Sequence, residues 1–386
     1  MRTENDRGGG VRRVRLGLAG LGRIGRMHAD NLARRVRSAE LVRVVDADEA
    51  LARTTGERLG VEWSTAYDDL LRDRDVEGVV VATPTPLHVE MVEQAAAAGK
   101  HVFCEKPISL DLPGTEAAID AARNAGIALQ VGFHRRFDPD WTAAAARIES
   151  GELGEVYLFR TTLRDQRPPP MAYIRDSGGF FVDVTIHDLD TARWLVGEIE
   201  EVAAFGAALS DPRFAELDDV DNAVVALRFA SGALGVIDET RVAGYGYECS
   251  TEVVGSRATV RIGHHRRVNN VWLTPGSAAV DWVGDFTERY PHAYALELEG
   301  FAAAIRVGHP PAVTGADGLA AFVLAQACGR SFREGRAIRL RHETHVGRVV
   351  YEAASVLPKG GSSSLAIGRA GIPDGQHGTT KGEADE

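Results

Sequence analysis

A glycine-rich segment near the N-terminus constrains the fold more than any other feature of this 386-residue chain. It reads Gly20-Leu21-Gly22-Arg23-Ile24-Gly25. The segment follows a strand pattern over 14–19 and opens a helical pattern over 24–35, a setting in which the first glycine permits a tight turn and the second lets a pyrophosphate approach the backbone. The third lets helix and strand pack closely, with the helix N-terminus facing the phosphates. The predicted dinucleotide-binding residues here are Gly20, Gly22, Arg23, Ile24 and Gly25; the alternative is a strand-to-helix turn that merely requires glycines.

Asp46 indicates which dinucleotide is bound. It ends the second strand pattern about 20 residues beyond Gly25, where a ribose-binding acid is expected. Its carboxylate can accept hydrogen bonds from the adenosine ribose hydroxyls but would repel a 2′-phosphate, and Ala47-Asp48 offers no arginine to hold that phosphate. We therefore predict NAD rather than NADP as the cofactor. The alternative role for Asp46 is that of a helix N-cap or turn residue.

The order of strand and helix patterns predicts two domains of different architecture. Strand patterns at 14–19, 41–46, 78–83, 101–104 and 128–133 alternate with helical patterns, which is typical of a parallel, doubly wound sheet. After residue 140, several strand patterns follow one another with short turns, which indicates a mostly antiparallel open sheet. The predicted fold class is α/β, with an N-terminal Rossmann dinucleotide-binding domain and a C-terminal α+β domain.

The same patterns suggest domain boundaries. The predicted segments are a disordered N-terminal arm at 1–13, the Rossmann domain at 14–135, the C-terminal domain at 136–357 and a disordered tail at 358–386. The tail is rich in glycine, serine and charge and has little apolar surface to bury. A short strand is predicted at 337–340 and a last helix at 345–357.

The charge balance and the cysteines exclude several functions. A net charge of −11 argues against a nucleic-acid or anionic-membrane surface, because both select clustered lysine and arginine, so a small-molecule partner is expected. The N-terminal segment has no apolar stretch of the kind that a signal peptide or membrane span requires. Cys104, Cys249 and Cys328 are odd in number and far apart, which favours a reducing compartment, and no metal-ligand spacing appears among them. We expect a cytoplasmic protein without a metal.

Two further strand ends carry polar residues that should meet at one edge of the sheet. Thr83-Pro84 ends one strand pattern and Glu105-Lys106-Pro107 ends the next. Because ligands bind at the carboxyl edge of such sheets, Thr83, Pro84, His88 and Glu105 are predicted to contact the cofactor. His88 alone is equally consistent with an ordinary helix-start residue. Lys106 alone could be an ion-pair partner of Glu105.

Asp183 and His187 form a second polar cluster, in the far half of the chain. They are four residues apart and follow Gly178-Gly179, so on a helix they share one face. Oxidation of a secondary alcohol requires removal of the hydroxyl proton as the hydride leaves, and an imidazole with a pKa of about 6.5 suits that task. Lys106 would stabilise the developing alkoxide, and Asp183 would orient the substrate or His187. The alternative is an N-cap aspartate with a surface histidine.

With these residues in place, the chain resembles the family of glucose–fructose oxidoreductase, inositol dehydrogenase and rhizopine catabolism proteins over about residues 14–340. The resemblance rests on the glycine-rich turn, on Glu105-Lys106-Pro107 and on the Gly-Gly-x3-Asp-x3-His run that ends at His187. It implies a Rossmann domain plus an α/β domain for substrate binding and oligomerisation, whose open sheet commonly supports a homodimer or homotetramer. It also implies a catalytic triad, which falls on Lys106, Asp183 and His187.

Within that family, the chain is most similar to the inositol dehydrogenases, on the basis of the segments 132–138, 164–165, 184–188 and 245–247. The similarity implies NAD-dependent oxidation of a ring secondary alcohol of a cyclitol such as myo-inositol or scyllo-inositol. The implied substrate-binding residues are His134, Arg135, Asp165 and one of Tyr245 and Tyr247. His134 and Val184 depart from the residues usual in those members. Dehydrogenation of a pyranose sugar or an amino-cyclitol, or an NAD-using glycosidase of the same fold, therefore stay open as alternatives.

Overall fold

The computed structural model describes residues 12–263, 266–268, 270–345 and 348–353. Residues 1–11 of the predicted N-terminal arm and the whole predicted tail, 358–386, lie outside the described residues. Among the helices of the described part, none is both long and apolar enough to cross a membrane.

The first part of the chain forms a six-stranded parallel sheet with helices between its strands. The strands are β1 (Val14–Ala19), β2 (Ala39–Val45), β3 (Glu62–Ser64), β4 (Gly78–Val81), β5 (His101–Cys104) and β6 (Leu129–Val131). The helices are α1 (Arg23–Arg34), α2 (Glu49–Leu59), α3 (Asp68–Arg72), α4 (His88–Ala97) and α5 (Leu112–Ala125). The strand order is β3-β2-β1-β4-β5-β6 with every pairing parallel, so the predicted Rossmann sheet is confirmed.

This sheet brings the predicted cofactor residues to one edge. Gly20 follows β1, Asp46 follows β2 and Glu105 follows β5, and parallel strands end at the same edge of a sheet. Every residue of β4 is buried, as a strand covered on both faces requires. The apolar runs thus fix the sheet, and the residues that follow them form its ligand-binding edge.

Within the described residues, the second part of the chain forms an eight-stranded sheet and seven α-helices. The strands of this sheet are β7 (Val156–Arg164), β8 (Ile199–Ala207), β9 (Asn222–Phe229), β10 (Leu234–Thr240), β11 (Glu248–Gly255), β12 (Thr259–Ile262), β15 (Ile338–His345) and β16 (Arg348–Ala353), and β13 (Trp272–Thr274) and β14 (Ser277–Ala279) pair separately. The helices are α6 (Pro139–Glu149), α7 (Met171–Asp176), α8 (Ile186–Val196), α9 (Arg213–Glu216), α10 (Phe286–Arg289), α11 (Ala293–Val307) and α12 (Gly315–Glu334).

The eight strands lie in the order β12-β11-β7-β10-β9-β8-β15-β16, and only the β7–β10 pairing is parallel. The predicted mostly antiparallel sheet is therefore confirmed. One face is buried, for example through Val225, Leu227 and Phe229 of β9, and Ser331 of α12 accepts a hydrogen bond from β8 on this side. The opposite face carries exposed apolar side chains such as Phe205 and Val224.

The predicted helix over 345–357 is wrong for the residues that the structure describes. Arg348–Ala353 is instead strand β16, which pairs antiparallel with β15. Val349-Val350-Tyr351 explains the difference, because β-branched and aromatic residues favour an extended backbone. Residues 346–347 and 354–357 of the predicted helix lie outside the described part.

Helix α11 links the two parts of the chain. Its Leu298, Phe301 and Ala302 are buried in the same apolar cluster as Leu16 and Leu18 of β1. The helix also joins β6, since Gln130 donates through Nε2 to the backbone carbonyl of Glu297 at 2.8 Å. Helix α11, which belongs to the second part of the chain, therefore packs on the Rossmann sheet.

Candidate active site

The glycine-rich turn has the geometry that a dinucleotide requires. Gly20 has a φ of 91°, and a Cβ there would lie 2.6 Å from the backbone of Ala82. A Cβ at Gly25 would lie 1.8 Å from the carbonyl oxygen of Gly20, whereas one at Gly22 would meet no described atom within 4 Å. Gly20 and Gly25 are thus required by packing, and the backbone at Gly22 faces open space at the start of α1. The turn fits NAD, with Ile24 half-buried and Arg23 exposed beside it.

Asp46 braces this turn. Its Oδ2 accepts a hydrogen bond from the backbone N–H of Leu21 at 2.6 Å, and its Oδ1 accepts one from Asp48 at 2.9 Å. The helix N-cap of α2 is Asp48, whose side chain accepts a hydrogen bond from Leu51. The N-cap alternative for Asp46 is therefore wrong, whereas the alternative of a turn residue agrees with these two hydrogen bonds of its half-buried carboxylate.

The predicted residues at the end of β4 differ in what they can contact. Thr83 is half-buried and Pro84 is exposed. His88 is buried, and its two ring nitrogens each lie 2.9 Å from a backbone carbonyl oxygen, that of Pro107 and that of Thr83. Burial lowers the pKa of His88. Because both ring nitrogens face backbone carbonyl oxygens of the protein, the structure argues against direct cofactor binding by His88 and supports a role in joining the ends of β4 and β5.

Lys106, which follows β5, forms an ion pair with Asp183 from the second part of the chain. Lys106 Nζ donates to Asp183 Oδ1 at 3.2 Å and to the backbone carbonyl of Asp183 at 2.8 Å. Among the described residues, Lys106 forms its ion pair with Asp183 and not with Glu105, which was the alternative partner. Asp183 lies in a π-helical turn, Phe181–Thr185, that leads into α8, so the predicted helix begins with a widened turn.

Three donors surround the Asp183 carboxylate. Besides Lys106, Tyr173 donates its hydroxyl to Oδ1 at 2.8 Å and Arg241 donates through Nη2 to Oδ2 at 2.9 Å. Burial acts to raise the pKa of Asp183, but the charges of Lys106 and Arg241 and the hydrogen bonds from Tyr173 and Arg241 lower it to about 2. Asp183 is therefore ionised at neutral pH and can hold Lys106 in place.

His187 lies on the first turn of α8, beside a second imidazole. The ring centroids of His187 and His134 are 5.2 Å apart, and His134 is buried and stacks on Tyr294 at 4.4 Å. Burial, followed by the charge of Lys106, lowers the pKa of His187 well below its usual value. His187 is therefore neutral at physiological pH, the form that can accept a proton.

The structure argues against substrate binding by Arg135. Its guanidinium is buried and forms a bidentate ion pair with Asp188, at 2.7 and 3.1 Å. A buried charge of this kind requires an internal partner, and the pairing with Asp188 uses both terminal nitrogens of the Arg135 guanidinium. Arg135 is better explained as an anchor between the Rossmann domain and α8.

The remaining predicted substrate residues lie at different depths. Asp165 is half-buried, and burial raises its pKa to about 6, with the Asp183 charge adding to the shift and Arg241 opposing it. Tyr247 is buried and interacts electrostatically with Asp165. Tyr245 is half-exposed and donates its hydroxyl to Glu248 at 2.6 Å. Of the two tyrosines, Tyr247 is the better candidate for the site.

Glu105 belongs to a buried acid cluster that the sequence did not indicate. His28 Nε2 and Glu105 Oε1 lie 2.6 Å apart, and Glu297 Oε1 lies 3.9 Å from the same nitrogen. Glu297 is fully buried, and neither carboxylate oxygen has a hydrogen-bond partner among the described residues. Burial, followed by the charge of Glu105, raises the pKa of Glu297 well above its usual value. The three side chains are close enough to hold a metal ion, and the 2.6 Å contact between His28 and Glu105 has the length of a strong hydrogen bond.

Sequence reasoning missed Tyr173, Arg241, His28 and Glu297. An arginine directly after a strand pattern, as Arg241 follows β10, is a usable signal for a charge at a strand end. Tyr173, His28 and Glu297 have no such signal, because their partners are distant in sequence and only the fold brings them together.

A Rossmann sheet with this turn, an acid after β2 and a lysine–carboxylate pair at the same edge define an NAD-dependent oxidoreductase acting on alcohols. The chain belongs to the Gfo/Idh/MocA oxidoreductase family, whose NAD-binding Rossmann fold matches residues 14–133 and whose C-terminal alpha/beta domain matches residues 145–340. The family resemblance and the prediction of NAD are thus confirmed.

Named relatives extend along most of the chain. A myo-inositol 2-dehydrogenase of Thermotoga maritima is 43% identical over 333 residues, which cover 85% of this chain and 98% of the relative. A scyllo-inositol 2-dehydrogenase (NAD(+)) of Bacillus subtilis is 38% identical over 329 residues, 85% of this chain and 96% of the relative. The crystal structure of scyllo-inositol dehydrogenase from Lactobacillus casei with bound NAD(H) and scyllo-inositol superposes with a TM-score of 0.80 at 27% identity, covering 85% of this chain and 99% of that one.

Proposed function

We propose that the chain oxidises a ring secondary alcohol of a cyclitol, such as myo-inositol or scyllo-inositol, to the corresponding ketone with NAD. The observation that carries the proposal is the pair formed by Lys106 and the ionised Asp183 at the carboxyl edge of the NAD-binding sheet. The similarity to proteins named inositol dehydrogenases supports the choice of a cyclitol.

The side chains around this pair suggest how the alcohol is activated. NAD, when bound, supplies the hydride acceptor, and the turn at Gly20, Gly22 and Gly25 with Asp46 would hold it. Lys106 donates a hydrogen bond to the alcohol oxygen, where its charge stabilises the negative charge that develops. The neutral His187 accepts the hydroxyl proton, and Asp183 fixes the position of Lys106.

The other groups at the site suit a substrate with many hydroxyls. His134, Asp165 and Tyr247 offer donors and acceptors around the Lys106–Asp183 pair, and a site built on hydrogen bonds rejects substrates that lack a bonding hydroxyl. Thr83, Pro84 and Glu105 line the cofactor side of the same edge in this proposal. The proposed boundary between the NAD-binding and substrate domains stays at residues 135 and 136.

The proposal includes self-association in the cytoplasm. On the outer face of the large sheet, Phe205 pairs directly with Val224 and Leu234 pairs with Leu158, and all four side chains are exposed. An apolar patch of this kind suits an interface with a second copy of the chain, as a homodimer or homotetramer. Sedimentation of the wild type and of Val224→Glu tests the association, which the charge should disrupt.

The three buried cysteines form no disulfide and are consistent with a reducing compartment such as the cytoplasm.

A substrate panel tests the activity. The purified chain is incubated with NAD or NADP and with myo-inositol, scyllo-inositol, an amino-cyclitol, pyranose sugars and an aryl glycoside, and both absorbance of the reduced cofactor and release of the aglycone are followed. We expect NAD-dependent turnover with a cyclitol. Turnover confined to a pyranose or an amino-cyclitol would correct the substrate. Glycoside cleavage without net cofactor reduction, or no turnover with any compound, would overturn the proposal.

A further inference from the structure

Tyr173 presents an exposed aromatic ring whose hydroxyl reaches the centre of the site. The residue is 48% exposed, yet its hydroxyl donates to Asp183 Oδ1 at 2.8 Å. Asp183 itself is only 9% exposed. Tyr173 therefore connects the surface of the protein with the buried Asp183 carboxylate of the candidate active site.

The segment that carries Tyr173 is built to hold this ring over the site. Helix α7 follows Pro168-Pro169-Pro170 and precedes Gly178-Gly179, whose φ angles are 84° and 86°. Proline fixes φ on one side, and on the other side the two glycines provide a left-handed turn that other residues rarely adopt. A Cβ at Gly178 would lie 2.8 Å from Leu110 Cδ2, so the turn also packs closely against the Rossmann domain. The prolines before α7 and the glycines after it therefore both restrict the position of the Tyr173 ring.

Tyr173 shares its acceptor atom with Lys106. The ammonium of Lys106 bonds the same Oδ1 at 3.2 Å, so the hydroxyl and the ammonium can be no further apart than the two hydrogen bonds placed end to end. Two hydroxyls on neighbouring carbons of a polyol ring are closer together than the sum of these two hydrogen-bond lengths. When Lys106 binds the oxygen that is oxidised, Tyr173 is therefore within reach of the hydroxyl on an adjacent carbon.

The Asp183 carboxylate can lose its hydrogen bond from Tyr173 and still be stabilised by charged donors. Lys106 and the buried Arg241 remain as charged donors, one on each carboxylate oxygen. Burial and the neighbouring Asp183 raise the pKa of Tyr173, so its hydroxyl keeps the proton that it donates. We propose that Tyr173 is a substrate-binding residue that helps to select the polyol: its hydroxyl bonds Asp183 in the empty site and a ring hydroxyl next to the oxidised carbon in the occupied one. This inference rests on the proposed function.

The substitution Tyr173→Phe removes the hydroxyl and keeps the ring. Initial rates are measured for the cyclitol that the wild type oxidises best and for monodeoxy analogues that each lack one ring hydroxyl. We expect KM of the variant to rise roughly three- to tenfold, the usual size for one neutral hydrogen bond, with kcat changed by less than about twofold. For the analogue that lacks the bonded hydroxyl, wild type and variant should have the same KM, as a double-mutant cycle requires.

The matched control is Tyr157→Phe, which alters a tyrosine of similar exposure, 52%, at the start of β7. It should keep the kinetics of the wild type. Equal kinetics of Tyr173→Phe and wild type would overturn the proposal, as would an equal penalty for every analogue, because Tyr173 would then act only on Asp183. A wild type that oxidises no polyol overturns the proposed function and this inference together, whereas an active wild type with an unaffected variant removes this inference alone.

Discussion

Lys106 Nζ makes two hydrogen bonds to a single residue, Asp183, through its side-chain Oδ1 and its backbone carbonyl, although 77 positions separate the two in sequence. Lys106 follows a strand of the NAD-binding sheet, and Asp183 lies in the turn that leads into α8. The contact therefore fixes the position of the ammonium relative to both halves of the protein. Because catalytic geometry must be held within a fraction of an ångström, this contact suits the Lys106 ammonium for a role in the candidate site.

Substitution of Lys106 tests the role of its charge. Lys106→Ala removes the donor that should stabilise the developing alkoxide, so we expect kcat/KM to fall by roughly two to four orders of magnitude. NAD binding, measured by quenching of protein fluorescence, should change by less than about threefold, because the turn at Gly20 is untouched. An equal loss of NAD binding would contradict this role, since it would place the lysine in cofactor binding.

Cofactor choice should depend on Asp46. Asp46→Ser removes the negative charge that would repel a 2′-phosphate, so the ratio of kcat/KM for NADP to that for NAD should rise by more than about tenfold. Affinity for NAD should also fall, because the Leu21 N–H loses its acceptor at 2.6 Å. Asp48→Asn is the matched control, since it removes a charge two residues away and keeps an N-cap side chain. A similar rise in that control would assign the selectivity to general charge rather than to Asp46.

The fold could be predicted from the sequence wherever one local pattern dominates. The buried run of β4 and the glycines after β1 specify a parallel sheet almost without tertiary information. The region 345–357 shows the limit of this reasoning, because the spacing of its apolar residues fits a helix although Val349-Val350-Tyr351 favours an extended backbone. Pairing with β15 decides between the two, and strand pairing depends on distant residues that a local pattern does not contain.

The candidate site was predictable only as far as its motifs extend. Lys106, Asp183 and His187 each lie in a recognisable pattern, and the structure brings the first two into contact. Arg135 and Arg241 show why the roles of the other site residues could not be predicted. Both are buried arginines after strand or turn patterns, and only the fold determines that Arg135 is neutralised by Asp188 while Arg241 bonds Asp183. Electrostatic pairing in a protein interior follows from three-dimensional proximity, which the sequence alone does not reveal.

Asp165 should set the acidic limb of the pH profile. Its pKa is raised to about 6, mainly by burial, so it loses its charge and part of its acceptor capacity as the pH falls through that value. The pKa of His187 is lowered well below its usual value, so His187 stays neutral over the same range. We therefore expect kcat/KM of the wild type to rise between pH about 5 and about 7 and then level off.

The variant Asp165→Asn assigns that limb. It cannot titrate, so its profile should be flat across the same interval and its kcat/KM should be lower at the plateau, by roughly tenfold for one charged hydrogen bond. An unchanged limb in the variant would assign the titration to another group and remove Asp165 from substrate binding.

Stability should depend on pH through Glu297. Burial and the Glu105 charge raise its pKa in the folded protein, so above the ordinary value for glutamate the folded state holds a proton that the unfolded state has lost. Stability therefore decreases as the pH rises from about 4.5 toward the raised pKa, by up to about 1.4 kcal/mol per pH unit. Glu297→Gln is neutral at every pH and should abolish this dependence, so its stability relative to the wild type should increase with pH.

Urea unfolding at several pH values between about 5 and about 8 measures the difference. The control Glu149→Gln, at an exposed glutamate of α6, should shift stability by the same amount at each pH. A difference between Glu297→Gln and the wild type that does not grow with pH would mean that Glu297 is ionised in the folded protein, and a cation would then have to neutralise it.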